Sequence, residues 1–130
     1  MASILKVDTI TGVATAGSIA ITGEGNSTTT NLQQGLAKAW LRATASAAVS
    51  DSLNVSSGTD HGTGDYSFAT TNAFNSIQYA NVWTVYTTAG RNAIRNDSRD
   101  ATDTLAVEVN NLSGSNVDHA TNGTSHGDLA

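Results

Sequence analysis

Apolar residues in this chain recur at every second position, in short runs, and that period decides the fold class. In DTLAVEVNNL (Asp103–Leu112), Leu105, Val107 and Val109 read as facing inward, and Ala106 and Glu108 as facing outward. DYSFATT sets Tyr66, Phe68 and Thr70 against Ser67 and Ala69, and AVSDSLNVSS places Val49, Asp51, Leu53 and Val55 on one parity. A period of two marks a pleated strand, whereas a helix repeats every 3.6 residues. SIQYANVWTVYTT puts Ile77, Tyr79, Asn81, Trp83 and Val85 on one parity and Val82 and Tyr86 on the other. Being apolar on both sides, it reads as a central strand covered on both faces. Several short strands separated by turn residues imply an all-β chain, here an antiparallel β-sandwich of jelly-roll-like type.

Two stretches depart from that pattern. Residues 1–31 are punctuated by Gly12, Gly17, Gly23 and Gly25 and carry short bursts such as SIAIT, with Ile19 and Ile21 at strand spacing. They read as an extended N-terminal β arm that exchanges strands with a neighbour or docks on its own domain, leaving 32–130 as the sandwich. From Asn31 to Ala48 the signals conflict. Leu32, Leu36, Trp40 and Ala43 fall at helical spacing in a segment rich in helix formers, while Ala37, Ala39 and Leu41 alternate with Lys38, Trp40 and Arg42. Periodicity leaves strand and helix both open there.

Composition narrows the function classes. The chain has 130 residues, a net charge of −5, no Cys and no Pro. Without Cys there are no disulfides, no thiolate chemistry and no zinc-ribbon site. The acidic balance disfavours nucleic acid as a partner, and no apolar run approaches the ~20 residues of a membrane span. Of the 38% hydrophobic residues a large share is Ala, so large core side chains are few. A thin core in a small domain is commonly completed by oligomerisation.

The candidate chemistry is sparse. In NVSSGTDHGTGDYSF (Asn54–Phe68) the glycines precede Asp65, Tyr66 and Phe68, with neither the Lys nor the helix start that a phosphate cradle needs. A hairpin accounts for every residue, with Gly62 and Gly64 for positive φ; a weak calcium site at Asp60 and Asp65 is the alternative. His61 lies in this loop, and His119 and His126 lie in a polar tail; none forms an H-x-H or H-E-x-x-H spacing. No metal and no cofactor is expected. Arg91, Arg95 and Arg99 lie four apart among Asp97, Asp100 and Asp103. They read either as a solvated salt-bridged loop or as subunit-interface residues, together with Ile4, Val7 and Ile10 of the arm. No nucleophile stands at plausible spacing from a base, and no carboxylate pair stands out, so the chain is not expected to be an enzyme. Aromatic residues at strand spacing serve as core or interface anchors, or as a sugar-stacking platform; Trp40 and Tyr86 are the candidates for surface recognition.

SILKVDTITG near the N-terminus, GLAKAW at Gly35–Trp40 and NVSSGTDHGTGDYSF, in that order, resemble a repeated pattern in tail-fibre-like virion proteins of tailed bacteriophages, of the marine and cyanobacterial type. The resemblance covers about residues 3–70, and the terminal HGDLA resembles the family's closing GD. It implies that GLAKAW opens a strand, with Ala43–Ala47 as the turn that follows. It also implies a non-enzymatic structural component of a virion, assembled in the bacterial host cytoplasm: a homotrimeric tail-fibre or appendage protein. The alternatives are a capsid decoration (cement) protein stabilising the head lattice and a lectin-like receptor-binding module. The implied partners are copies of itself, capsid or tail subunits, and a host-surface glycan.

Overall fold

The computed structural model describes residues 6–12, 19–22, 29–86, 92–96 and 98–130. The chain divides into two units, Met1–Gly35 and Leu36–Ala130. In the first, β1 (Ala20–Thr22) pairs antiparallel with β2 (Thr29–Asn31), and one helical turn, α1 (Leu32–Gly35), follows directly. The Leu32 N–H donates to the Ile19 carbonyl at 2.8 Å, which ties the start of that turn to the residue before β1. Residues 6–12, including the exposed Val7 and Ile10, contribute no strand.

The second unit is an antiparallel β-sandwich. Its strands are β3 (Ala39–Ala43), β4 (Val49–Leu53), β5 (Val55–Gly62), β6 (Asp65–Thr70), β7 (Ala80–Tyr86), β8 (Asn92–Asn96), β9 (Thr104–Asn111) and β10 (Ala120–His126). Among the described residues they form two four-stranded sheets, ordered β4-β3-β10-β7 and β5-β6-β9-β8. The core lies between them. It consists of Leu41 from β3, Tyr66 and Phe68 from β6, Leu105, Val107 and Val109 from β9, and Phe74 from the loop before β7. Phe68 stacks on Trp83 of the opposite sheet with ring centroids 5.8 Å apart, and Phe74 stacks on Tyr79 at 4.4 Å. Burying each large apolar side chain contributes roughly 1.5–3 kcal/mol, so this small set supplies most of the cohesion.

The Asn31–Ala48 conflict resolves into both elements in sequence. Leu32–Gly35 is helical, and Ala39–Ala43 is a strand with Ala39, Leu41 and Ala43 buried and Trp40 and Arg42 outward. The turn that follows has neither Gly nor Asn. Ala47 itself adopts φ +56°, and the Thr44 hydroxyl oxygen accepts from the N–H groups of Ser46 (3.3 Å) and Ala48 (3.2 Å). A left-handed alanine costs about 1–2 kcal/mol; the Thr44 bonds and burial of the Ala47 methyl hold it there.

Four expectations are corrected. AVSDSLNVSS is not one strand: Asn54, at φ +58°, ends β4, and β5 continues in the other sheet. Asn54 is locked there by Asn72, whose N–H donates to Asn54 Oδ1 at 2.7 Å while Asn54 Nδ2 donates to the Asn72 carbonyl. SIQYANVWTVYTT does not supply a central strand covered twice. β7 ends its sheet, and its outward residues Val82 and Tyr86 are exposed. Ala106, expected to face outward, is buried, with Asp100 folded against it so that Asp100 Oδ1 accepts the Ala106 N–H at 2.7 Å. The polar tail, moreover, contains β10, which is central in its sheet with Thr121 and Ser125 buried.

Candidate functional site

The two outer faces of the sandwich differ in chemistry. On the β4-β3-β10-β7 sheet the outward residues follow from register. Trp40 of β3 lies opposite Leu53 of β4 and Thr124 of β10, and Thr124 in turn lies opposite Val82 of β7. Arg42 lies opposite Asp51 and Asn122, and Asn122 lies opposite Thr84. Tyr86 closes the row beside Ala120. The Arg42 guanidinium reaches diagonally across Ala120 and sits 5.5 Å from the centre of the Tyr86 ring, a cation–π contact.

This face is unusually apolar for solvent-facing strand positions: Trp40 is 37% exposed, Leu53 47%, Val82 59% and Tyr86 63%. Isolated exposed apolar residues need no explanation, but Leu53, Trp40 and Val82 on one cross-strand row, with Tyr86 four residues further along β7 on the same face, make a patch of the kind that marks interaction surfaces. The same face holds a shallow depression of about 220 Å³ lined by Val82, Thr84, Asn122, Gly123 and Thr124. It offers an apolar floor with an amide and hydroxyls at the rim. Trp40 and Tyr86, 46 residues apart in sequence, are thus brought onto one face. Leu53, Val82 and Arg42 join them. Sequence parity held a signal for Val82, which shares Tyr86's parity; nothing in the sequence paired β3 with β10 and β10 with β7.

The β5-β6-β9-β8 sheet presents polar groups. His61 Nε2 meets Ser67 Oγ at 2.8 Å, Arg99 forms an ion pair with Asp65, and Asp65 lies opposite Glu108. The His61–Ser67 contact bridges the edge strand β5 and its neighbour β6 near their hairpin turn, with Ser67 only 9% exposed. Nucleophilic catalysis needs the hydroxyl open to a substrate and the base oriented by a third group. Among the described residues no third group is placed on His61. Among the described residues no cluster of His, Asp and Glu could hold a metal ion. The two carboxylates of the calcium alternative are engaged within the chain: Asp60 Oδ1 accepts the Gly62 N–H at 2.9 Å, and Asp65 pairs with Arg99. The hairpin reading of NVSSGTDHGTGDYSF fits the observed β5–β6 turn, where Gly62 and Gly64 have φ +136° and +65°.

The interface candidates separate. Ile4 and Arg91 lie outside the described residues. Arg95 is on β8 in register with Glu108, and Arg99, in the segment after β8, is held by Asp65. Two tyrosines are structural. The Tyr66 hydroxyl lies 2.9 Å from the Ala45 carbonyl and 3.1 Å from Asp118 Oδ1, which also accepts the Gly64 N–H. The Tyr79 hydroxyl reaches the carbonyls of Thr104 (2.9 Å) and Ala101 (3.0 Å). Burial first, and the charges of Asp118 and Asp100 next, push both phenols well above their ordinary pKa.

No family model matches the chain, and no curated protein or solved structure matches it either.

Proposed function

We propose that this chain is a non-enzymatic structural component of a tailed-phage virion, a homotrimeric tail-fibre or appendage protein that works by binding other proteins. The single observation that carries a binding role is the set Trp40, Leu53, Val82 and Tyr86, all exposed on one sheet face. Aromatic residues flanked by Arg are the anchors that interfaces favour. The virion assignment rests on the three ordered segments SILKVDTITG, GLAKAW and NVSSGTDHGTGDYSF. Threefold association rests on the same resemblance.

Immunogold labelling of particles carrying this protein is the direct test. Label confined to the tail supports the proposal, and label over the head lattice supports the decoration alternative. Absence of the protein from purified particles refutes both. Light scattering of the full chain is expected to give a mass that is three times the 13.3 kDa subunit or a multiple of that.

A second reading, a lectin-like receptor-binding module, is favoured by one feature. The Tyr86 ring and the rim of Asn122, Thr84 and Thr124 combine a stacking surface with sugar-compatible hydrogen-bonding groups. A glycan array tests it: binding that disappears in W40A/Y86A, with the far-ultraviolet circular dichroism unchanged, supports this reading. Binding that survives the double substitution rules out this face.

A further inference from the structure

A strand at the end of a sheet presents unpaired N–H and C=O groups, and proteins guard such edges with charges, prolines, bulges or short strands. Among the described residues the four edges of this sandwich are β4, β7, β5 and β8. β4 carries Asp51, and its pairing with β3 shifts register between Arg42 and Ala43. β5 carries Asp60 and His61 and shifts register twice against β6. β8 is short, Asn92–Asn96, and includes Arg95. β7 has none of these devices. Its seven residues, ANVWTVY, are uncharged, free of Gly and Pro and rich in β-formers, and they pair with β10 in unbroken register from Ala80 to Tyr86. Among the described residues no strand pairs with its other side.

We propose that β7 is the edge through which two copies of this chain associate, strand to strand, about a two-fold axis at Trp83. Charge selects a second copy as the occupant. At a net charge of −5, two copies repel over most of their surfaces, yet no Asp, Glu, Lys or Arg occurs between Asp65 and Arg91. β7 lies inside that neutral stretch, so the residues of the two β7 strands bring no like charges together. The strand is also self-complementary. In an antiparallel pair centred on Trp83, Val82 faces the partner's Thr84 and Tyr86 faces the partner's Ala80. The outward set Ala80, Val82, Thr84 and Tyr86 then stays outward on both copies, and the inward set Asn81, Trp83 and Val85 stays inward. An isologous contact of this kind closes on itself and leaves no free β7 edge. It joins the two sheets into one and makes the exposed Val82 and Tyr86 of both copies neighbours on a single face.

The contact is independent of the threefold reading, and one measurement separates them. Light scattering of the full chain across a hundredfold concentration range is expected to show an even-numbered assembly. A dimer supports the β7 contact and refutes the trimer, and a hexamer supports both. A trimer supports the fibre reading and refutes the β7 contact; a monomer at every concentration refutes both. Paired substitutions then assign the contact to the strand. V82K/T84K places like charges opposite one another twice across the axis and is expected to halve the assembly. V82K/T84E changes the same two exposed positions but sets opposite charges face to face, and is expected to keep the native mass. Equal masses for the two variants, whether both halved or both intact, overturn the proposal. Circular dichroism on both variants checks that the sandwich itself is retained.

Discussion

Glycine in the interior of a strand ordinarily weakens it, so G123A should stabilise a sheet by about 0.5–1 kcal/mol. The structure predicts the opposite sign here. Gly123 is in the middle of the central strand β10, directly opposite Trp83 of β7. A Cβ added to Gly123 would lie 2.4 Å from Trp83 Cζ3 and 2.5 Å from Cε3, whereas carbon atoms rest about 3.5–4.0 Å apart. The indole would have to withdraw by more than about 1 Å. It has little room to do so, because it stacks on Phe68, which is fully buried. Overpacking of this kind costs about 1–3 kcal/mol, so the net effect of G123A is a loss of roughly 1–2 kcal/mol. Urea unfolding followed by circular dichroism measures it, and a double-mutant cycle with W83L isolates the cause. With the indole gone, G123A should regain its ordinary stabilising sign. Stabilisation by G123A in the native background, or an equal penalty in both backgrounds, would refute the steric argument.

Two further predictions concern buried polar groups. The Thr121 hydroxyl is fully buried on β10 without a hydrogen-bond partner among the described residues, so T121V should raise stability by about 1 kcal/mol in the same urea assay; a loss of stability would show that the hydroxyl is satisfied in solution. The raised pKa values of Tyr66 and Tyr79 predict alkaline unfolding. Because the folded values lie above the unfolded value of 10.0, the stabilisation is complete below pH 10 and is lost as pH rises past it, since the unfolded chain releases its phenolic protons first. Each tyrosine adds a slope of about 1.4 kcal/mol per pH unit there. Urea midpoints between about pH 9 and 11 should fall steeply in the native chain and less steeply in Y79F; identical slopes would remove Tyr79 from the account.

Fold class was legible because period-two runs leave little else for DYSFATT and DTLAVEVNNL to become. The β5–β6 hairpin was legible for the same local reason, since Gly62 and Gly64 supply the positive φ that the turn needs. β10 was not legible. ATNGTSH alternates small and polar residues, so its buried side carries no hydrophobic signal. Its place in the sheet depends on Trp83, which fills the space above Gly123. The break at Asn54 was hidden as well, because an asparagine within a β-favouring run signals a turn only when a partner such as Asn72 holds it at positive φ. Of the candidate site, Trp40 and Tyr86 were visible as aromatic residues at strand spacing. That they share a face was not visible.

The sequence by itself determined the strand period, the turn chemistry, the absence of cysteine chemistry and the acidic, thinly charged surface. These properties are local: each follows from a residue and its near neighbours along the chain. Which strands end the sheets, which parity faces the core, and which exposed residues stand side by side were decided only by tertiary structure. Those depend on pairings such as β3 with β10 and β10 with β7, between segments far apart in sequence. Such pairings are selected by how side chains fill the space between two sheets, and no window of sequence contains that volume.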